Sequence, residues 1–214
     1  MKIQKTIKSL IKNNMQALFV NSKLEAVSFL QNFLTKGSKV GVGDSVTLKQ
    51  CGIIKFLQEG DYIFNDWMGE NITDDKIQEI FANDKKADFY LCSSNAITEN
   101  GELYNVDGRS NRISCIVHGP KNVIIVAGVN KIVENLESAV YRVKTIAAPL
   151  NCKRLNFKNY CTENGQCVSL NKKDPGMTDG CETHCRSCCN YLISGMQRIK
   201  NRITVLLVNE SLGY

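Results

Sequence analysis

Short apolar runs alternate with helix-forming segments along most of this chain, and that alternation limits the fold more than any other feature. The runs at 122–128 (NVIIVAG) and 202–209 (RITVLLVN) carry little charge, which is typical of strands buried on both faces. Further strands are predicted at 38–43, 61–65, 87–93 and 113–119. Strands that alternate with helices predict an α/β domain with a mostly parallel sheet flanked by helices.

Apolar residues at helical spacing predict the intervening helices. Two such patterns lie within residues 1–36 and predict an N-terminal helical segment that packs on the later core. Later helices are predicted at 45–60, at 72–84 with Thr73 as the cap, and at 135–148, ending before Pro149. An Asn-Gly pair at 100–101 predicts a hairpin within 98–106.

Seven of the ten cysteines lie between residues 152 and 189. The surrounding stretch, 150–197, interrupts the strand–helix alternation and predicts a loop-rich insertion with one short helix near 185–197. We therefore divide the chain into the N-terminal helical segment 1–36, an α/β core of 37–149 and 198–214, and a cysteine-rich lobe at 150–197.

The close spacing of these cysteines is typical of a metal site. No apolar stretch follows the basic start of the chain, so we expect no secretory signal, and without secretion clustered cysteines favour metal ligation over disulfides. His184 is an additional candidate, and free or oxidised thiols are the alternative. The predicted ligands of zinc or of a [4Fe–4S] cluster are Cys161, Cys167, Cys181, Cys185, Cys188 and Cys189.

Composition excludes several classes of partner. The longest uncharged apolar run, 123–129, is far shorter than a membrane helix requires, so we expect no membrane partner and a cytoplasmic location. The net charge of +6 permits an anionic ligand, but the basic residues are scattered, which argues against nucleic acid. The sequence is compatible with a homo-oligomer and does not fix its order.

The segment GVGDSVTLKQCG (41–52) runs from a predicted strand directly into a predicted helix. Gly41 and Gly43 permit tight backbone geometry, and Ser45 and Thr47 place hydroxyls beside free amides, an arrangement suited to phosphate or carboxylate. The alternative is an ordinary turn in which Asp44 or Ser45 caps the helix.

Polar residues are dense in 93–112, directly after a predicted strand. Ligands of open α/β sheets gather at the carboxyl ends of strands, so this segment predicts a small-anion cleft with Arg112 as a bidentate anchor. A polar surface hairpin is the alternative. The candidate ligand-binding residues here are Asn95, Thr98, Asn105, Asp107, Asn111 and Arg112.

Five stretches closely resemble the lactate-utilisation (LUD) domain family, and together they span nearly the whole chain. They are GVGDSVTLKQCG (41–52), SSNAITENGELYNVDGRSNR (93–112), HGPKNVIIVAGVNKIV (118–133), RVKTIAAPLNCKRL (142–155) and LLVNESLGY (206–214). The resemblance implies a sheet of the ribose-phosphate isomerase and CoA-transferase type. It also implies a link to bacterial lactate oxidation, in which family members are parts of an iron–sulfur oxidoreductase complex.

Individual residues match or depart from these patterns. Cys161, Cys167 and Cys189 match the C-terminal cysteine set of the family best. Asn95 takes the place of a catalytic aspartate in the similar loop of sugar-phosphate isomerases, and an amide cannot act as a general base. Ser110 stands where LUD members commonly have glycine.

Three functions follow, and the residues leave open whether the chain is an enzyme. The leading one is a redox accessory or subunit of lactate utilisation, with a cysteine-ligated metal, a small-anion cleft and other lactate-utilisation subunits as partners. The second is an isomerase- or acyl-transferase-like enzyme with Asp107 or Glu99 as base and Lys131 or Arg112 as anion clamp. The third is a non-catalytic binding module with structural zinc.

Overall fold

Residues 1–64 and 72–214 are described in a computed structural model of the chain. Two β-sheets with helices packed against them account for most of these residues. In chain order the described strands are β1 (Gln16–Val20), β2 (Lys39–Val42), β3 (Ile63–Phe64), β4 (Phe89–Cys92), β5 (Ala96–Thr98), β6 (Leu103–Asp107), β7 (Asn122–Gly128), β8 (Ile132–Val133), β9 (Asn190–Ser194) and β10 (Ile203–Val208).

The helices of the same residues alternate with the strands over most of the chain. They are α1 (Lys2–Lys12), α2 (Lys23–Phe33), α3 (Val46–Gln50), α4 (Ile53–Glu59), α5 (Asp74–Asp84), α6 (Asn111–Val117), α7 (Leu136–Arg142), α8 (Ala148–Arg154) and α9 (Tyr160–Asn164). A π-helical turn, Val143–Ala147, joins α7 to α8. Within the described ranges, no helix has both the length and the apolar character needed to cross a bilayer.

The larger sheet has six strands in the order β1-β10-β7-β4-β2-β3, and every neighbouring pair is parallel. Its central strands β7 and β10 are almost fully buried, which explains their apolar sequences. The predicted α/β fold with a mostly parallel sheet is confirmed. Since parallel strands end at one edge, the residues that follow β2, β4 and β7 come together there.

A smaller sheet of four strands, β8-β5-β6-β9, packs beside the first. The Asn-Gly turn at 100–101 joins β5 and β6 as an antiparallel hairpin, as predicted. Gly101 has a φ of +83°, and a Cβ there would lie 2.7 Å from the main-chain carbon of Ser9 in α1, so the turn requires glycine. From the cysteine-rich segment, β9 pairs with β6 and ties that segment to the core.

The predicted strand at 113–119 is wrong, because those residues belong mostly to α6. A short apolar run does not distinguish a strand from a buried helix face. The helix is favoured here because Asp107 Oδ2 accepts a hydrogen bond from the main-chain N–H of Ile113, at 2.8 Å. This satisfies one of the free amides at the start of α6.

The N-terminal helical segment contains a strand that the sequence patterns did not predict. Between the two predicted helices, β1 pairs with β10 at the edge of the larger sheet. The chain reverses at Asn14, whose φ is +62°. Every residue of β1 is only partly buried, so the strand lacks the alternation that would have marked it.

Three predicted helices differ from the structure. Gly52, with a φ of +75°, divides the predicted helix 45–60 into α3 and α4. The helix predicted to end before Pro149 continues through the π-helical turn into α8, and Pro149 lies in the first turn of α8. No helix forms near 185–197 within the described residues, because β9 occupies much of that stretch.

Two predictions in the middle of the chain hold where the structure describes them. Thr73 caps α5, and its Oγ1 accepts a hydrogen bond from the N–H of Lys76, at 3.3 Å. The predicted strand 61–65 corresponds to β3, while its last residue, 65, lies outside the described residues.

Candidate functional site

A cleft of about 710 Å³ opens at the carboxyl edge of the larger sheet. One wall is built from the residues that follow β2, β4 and β7, among them Ser45, Ser93 and Lys131. The opposite wall comes from α8 and the cysteine-rich segment, with Arg154 and Arg186. This is the location at which open α/β sheets bind their ligands.

The predicted ligand-binding residues divide into two groups. Those that line the cleft are Ser45, Thr47, Asn95, Asp107, Asn111 and Arg112. Those that do not line it are Gly41, Gly43, Thr98 and Asn105. Thr98 and Asn105 are fully buried in the smaller sheet.

The two glycines serve packing behind the cleft. A Cβ on Gly41 would lie 2.7 Å from Asp84 Oδ1, and one on Gly43 would lie 3.1 Å from Arg112 Cδ. Gly41 therefore gives room to a buried carboxyl group. Burial raises the pKa of Asp84 to about 7, since the charged form is poorly solvated there.

Arg112 is the hydrogen-bonding centre of the inner wall. Its two terminal nitrogens donate to the carbonyl oxygens of Ser93 and Val106 and to side-chain oxygens of Asn95, Asn105 and Asp107. The contact with Asp107 Oδ1 is a buried ion pair of 2.6 Å. Because protein acceptors already occupy both arms of the fork, Arg112 fixes the wall of the cleft in place.

Lys131 lies beside this centre and is only 3% exposed. Its Nζ donates to Thr47 Oγ1 at 3.0 Å and to Ser93 Oγ at 2.9 Å. Burial lowers the pKa of Lys131 to about 7, and the positive charges of Arg142 and Arg112 lower it further. A large fraction of this amine is therefore uncharged near neutral pH.

A third group of the cleft was missed by sequence reasoning. Arg154 forms an ion pair with Asp44 Oδ2 and donates to the hydroxyl of Tyr214 at 2.8 Å. Asp44 Oδ1 is buried without a hydrogen-bond donor in the described residues. These three residues lie in segments that carry the family resemblance, but no local pattern indicates that they meet.

Neither candidate general base has a carboxylate available in the cleft. Both oxygens of Asp107 are engaged, one by Arg112 and the other by the N–H of Ile113. Glu99 does not line the cleft, and it pairs with Lys5 of α1 at 3.0 Å.

A much smaller cavity, of about 20 Å³, lies in the cysteine-rich segment. Its wall is mostly apolar and carries four of the six predicted metal ligands, Cys161, Cys167, Cys181 and Cys188. A cavity of this volume holds about one water-sized atom. We call it the thiol cavity.

The other two predicted ligands, Cys185 and Cys189, line the cleft together with His184. The thiol of Cys189 donates to the carbonyl oxygen of Arg186 at 3.2 Å. The six predicted metal ligands are therefore divided between the thiol cavity, which has four of them, and the cleft, which has two.

Cys152 is a further buried thiol next to the thiol cavity. Its Sγ lies 3.0 Å from Ser187 Oγ. The neighbouring Cys161 thiol lowers the pKa of Cys152, and the same interaction raises the pKa of Cys161. A thiolate at Cys152 is thus stabilised by its neighbours, and all ten cysteines are free thiols.

The residues of the thiol cavity fit a thiophilic metal by donor type. Four thiols are the donor set that zinc and iron–sulfur clusters take. Within the described part of the chain, no group of three or more His, Cys, Asp or Glu side chains is already drawn together as a metal centre. Binding would therefore require the four sulfur atoms to close around the ion or cluster.

Comparisons with known proteins identify the family. A crystal structure of a DUF162 family protein from Deinococcus radiodurans is similar over 98% of this chain and 96% of that one, with a TM-score of 0.51 and 13% identity. That likeness shows the fold. No curated protein matches the chain. The model of the LUD domain matches residues 3–208, so the chain belongs to the LUD domain family.

Proposed function

We propose that this protein serves lactate utilisation as a cytoplasmic redox accessory or subunit. In this proposal it binds a small carboxylate in the cleft, holds a metal in the thiol cavity and acts with other lactate-utilisation subunits. Membership of the LUD domain family supports the link to lactate utilisation. The charges of the cleft and the thiols of the cavity support the finer parts.

The observation that carries the anion site is the charge of the cleft. Both carboxylates of the lining, Asp44 and Asp107, are already paired with arginines. Besides Lys131, the lining carries four arginines, which are Arg109, Arg112, Arg154 and Arg186. The excess of positive charge in a partly enclosed space favours an anionic ligand.

Two groups narrow the ligand class. Arg109 is exposed on the cleft wall and makes no hydrogen bond or ion pair with any described residue. Asp44 Oδ1 is buried and lacks a donor among the described residues. Arg109 would hold the carboxylate of a 2-hydroxycarboxylate such as lactate, and its neighbouring hydroxyl is a donor of the kind that Asp44 Oδ1 lacks.

The thiol cavity supports the metal part of the proposal. Cys161, Cys167, Cys181 and Cys188 would hold the group, and the buried Lys144 lies on the same wall. An iron–sulfur cluster there would supply one-electron transfer. This chain's own residues would exclude water from it, since Tyr104 and Val143 complete the wall.

A second candidate function is a carboxylate-binding module with structural zinc. The small volume of the thiol cavity, about 20 Å³, favours it, because a single ion fits there with less movement of the walls than a four-iron cluster. In this function the metal holds the cysteine-rich segment to the core and takes no part in electron transfer.

Anaerobic purification followed by an absorption spectrum and analysis of iron, zinc and sulfide separates the two functions. Iron and sulfide with broad absorption that reductant bleaches would support the redox accessory. Stoichiometric zinc without colour would support the binding module. Protein with neither metal would contradict both.

Calorimetric titration with L-lactate tests the anion site. We expect Arg109→Ala to weaken binding about tenfold or more, because a charge-assisted hydrogen bond is lost. Arg198→Ala is the matched control, since Arg198 is also exposed but lies outside the cleft. Equal affinity of the two variants, or no binding by the unaltered protein, would contradict the anion site.

A further inference from the structure

Lys131 differs from an ordinary buried lysine in lacking an acidic partner. No ion pair joins it to a described residue, and its hydrogen bonds end on the hydroxyls of Thr47 and Ser93. Thr47 donates its own proton to the carbonyl oxygen of Leu212, at 3.4 Å, which leaves its oxygen free to accept from Nζ. The amine is thus held by two neutral acceptors at the inner wall of the cleft.

The surroundings of Nζ favour the uncharged amine. Arg112 and Arg142 add positive charge nearby, while the thiols of Cys51 and Cys92 are the neighbouring acids, and burial raises the pKa of both thiols well above neutral. An uncharged amine has two N–H bonds, which the two hydroxyls accept, and one lone pair. That lone pair is the reactive feature of lysines that attack carbonyl groups.

We propose that Lys131 forms an imine with the carbonyl group of a 2-oxocarboxylate bound in the cleft. The proposal rests on the proposed anion site, because the carboxylate of the ligand must first be held there. A carbonyl next to a carboxylate is the class that matches an amine nucleophile beside an excess of arginines. Pyruvate is the smallest such compound with a ketone.

The reaction needs no oxidant and no added group. The lone pair of Nζ attacks the carbonyl carbon, the C=O π pair moves to oxygen, and one nitrogen proton passes to that oxygen to give a carbinolamine. Loss of this hydroxyl, together with the second nitrogen proton, as water then leaves the C=N bond. Ser93 Oγ, 2.9 Å from Nζ, is placed to relay these protons.

Gly213 lies next to the amine of Lys131 and to Thr47, which binds it. Gly213 has a φ of +59°, and a Cβ there would lie 2.5 Å from Thr47 Oγ1 and 3.3 Å from Lys131 Nζ. The Gly213 N–H donates to Gln50 Oε1 at 2.6 Å, which fixes the segment against α3. Glycine at this place therefore keeps the space beside the amine open.

Reductive trapping tests the proposal. The full chain is incubated with pyruvate and borohydride, and intact mass and peptide mapping follow. We expect one adduct per chain, on Lys131, with the mass of pyruvic acid less one oxygen atom. L-lactate under the same conditions should give none, because it has no carbonyl group.

Two variants and a pH series complete the test. Lys131→Arg keeps a long basic side chain but removes the nucleophilic amine and should abolish the adduct, whereas Lys153→Arg, at an exposed lysine outside the cleft, should not change it. The trapping rate should rise with pH through about pH 7, since burial lowers the pKa of Lys131 to about 7. Circular dichroism checks that both variants fold.

The outcomes separate this inference from the proposed function. If pyruvate leaves no adduct on Lys131 while L-lactate or pyruvate binds in calorimetry, the imine is overturned and the anion site stands. Labelling spread over surface lysines also overturns it, because the reaction would then be unselective. Absence of both binding and adduct overturns the two proposals together.

Discussion

The cleft and the thiol cavity are both lined by ionisable side chains, but they are assembled in opposite ways. The cleft brings together Ser45, Ser93, Lys131 and Tyr214 from distant parts of the chain. The four thiols of the cavity come from one segment, 161–188. Strand order therefore builds the first site, while local loops bring the second together.

The hydrogen bonds of the two sites differ accordingly. In the cleft, Arg112 and Lys131 are already satisfied by strong oxygen acceptors. In the cavity, the thiol of Cys167 has only long contacts, at 3.3 Å to Ser169 Oγ and 3.8 Å to the carbonyl oxygen of Asp179. The cleft is therefore preorganised by the fold, whereas the shape of the thiol cavity depends on what binds there.

Arg112→Ala removes the hydrogen-bonding centre of the cleft wall and should give the largest effect. The substitution leaves Asp107 buried without its cation, which costs about 3–5 kcal/mol of folding free energy. Urea unfolding measures this loss. Arg109→Ala, at an exposed arginine that precedes α6, should change stability by less than about 0.5 kcal/mol. Similar losses of folding free energy for both variants would contradict the role of Arg112 as the hydrogen-bonding centre of the inner wall.

Asp84→Asn tests how much the buried carboxylate of Asp84, behind the cleft, lowers the free energy of unfolding. The pKa of Asp84 is raised to about 7 in the folded chain from an ordinary 3.8. Between these two pH values the folded chain therefore keeps a proton on Asp84 that the unfolded chain has released. The unaltered protein should therefore lose stability as pH rises from 4 to 7, relative to the variant.

At pH 8 the variant should be more stable by about 2–4 kcal/mol, and near pH 4 the two should be equal. Urea unfolding across this pH range measures the difference. Asp174→Asn, at an exposed carboxylate, should track the unaltered protein throughout. A difference in stability that does not depend on pH would contradict a raised pKa of Asp84 in the folded chain.

Asn159→Ala tests the cavity side and should give the smallest effect. Asn159 Oδ1 caps α9 and also accepts a hydrogen bond from the Cys161 thiol, at 3.1 Å. Loss of the cap costs about 1 kcal/mol, and we expect weaker metal retention with unchanged lactate affinity. Asn135→Ala removes the cap of α7 at similar cost and should leave metal content unchanged. Equal metal loss in both would show that the cavity does not depend on this contact.

Much of the fold could be predicted from the sequence, because the core strands carry strong signals. The apolar sequences of β7 and β10 and the Asn-Gly turn before β6 identify their elements directly. Two of the failures, β1 and α6, are short elements in which apolar periodicity does not distinguish strand from helix. The pairing with the distant β10 decided β1, and the hydrogen bond from the N–H of Ile113 to Asp107 favoured α6.

The candidate site was predictable only in part. The polar residues of 93–112 were identified, since they follow a buried strand, but the partners of Arg112 depend on hairpin geometry. The meeting of Asp44 with Arg154 depends on the complete sheet order. The glycine that LUD members commonly have at position 110 has a visible basis. Ser110 has a φ of +62°, a conformation that glycine adopts more readily.

The position of β10 between β1 and β7 has a consequence for the order of events during synthesis. β1 leaves the ribosome before the other described strands, but it can pair with β10 only when residues 203–208 have emerged. Until then β1 has no partner strand among the described residues, and closing so long a loop is slow. The nascent chain thus carries β1 unpaired until β10 has been synthesised.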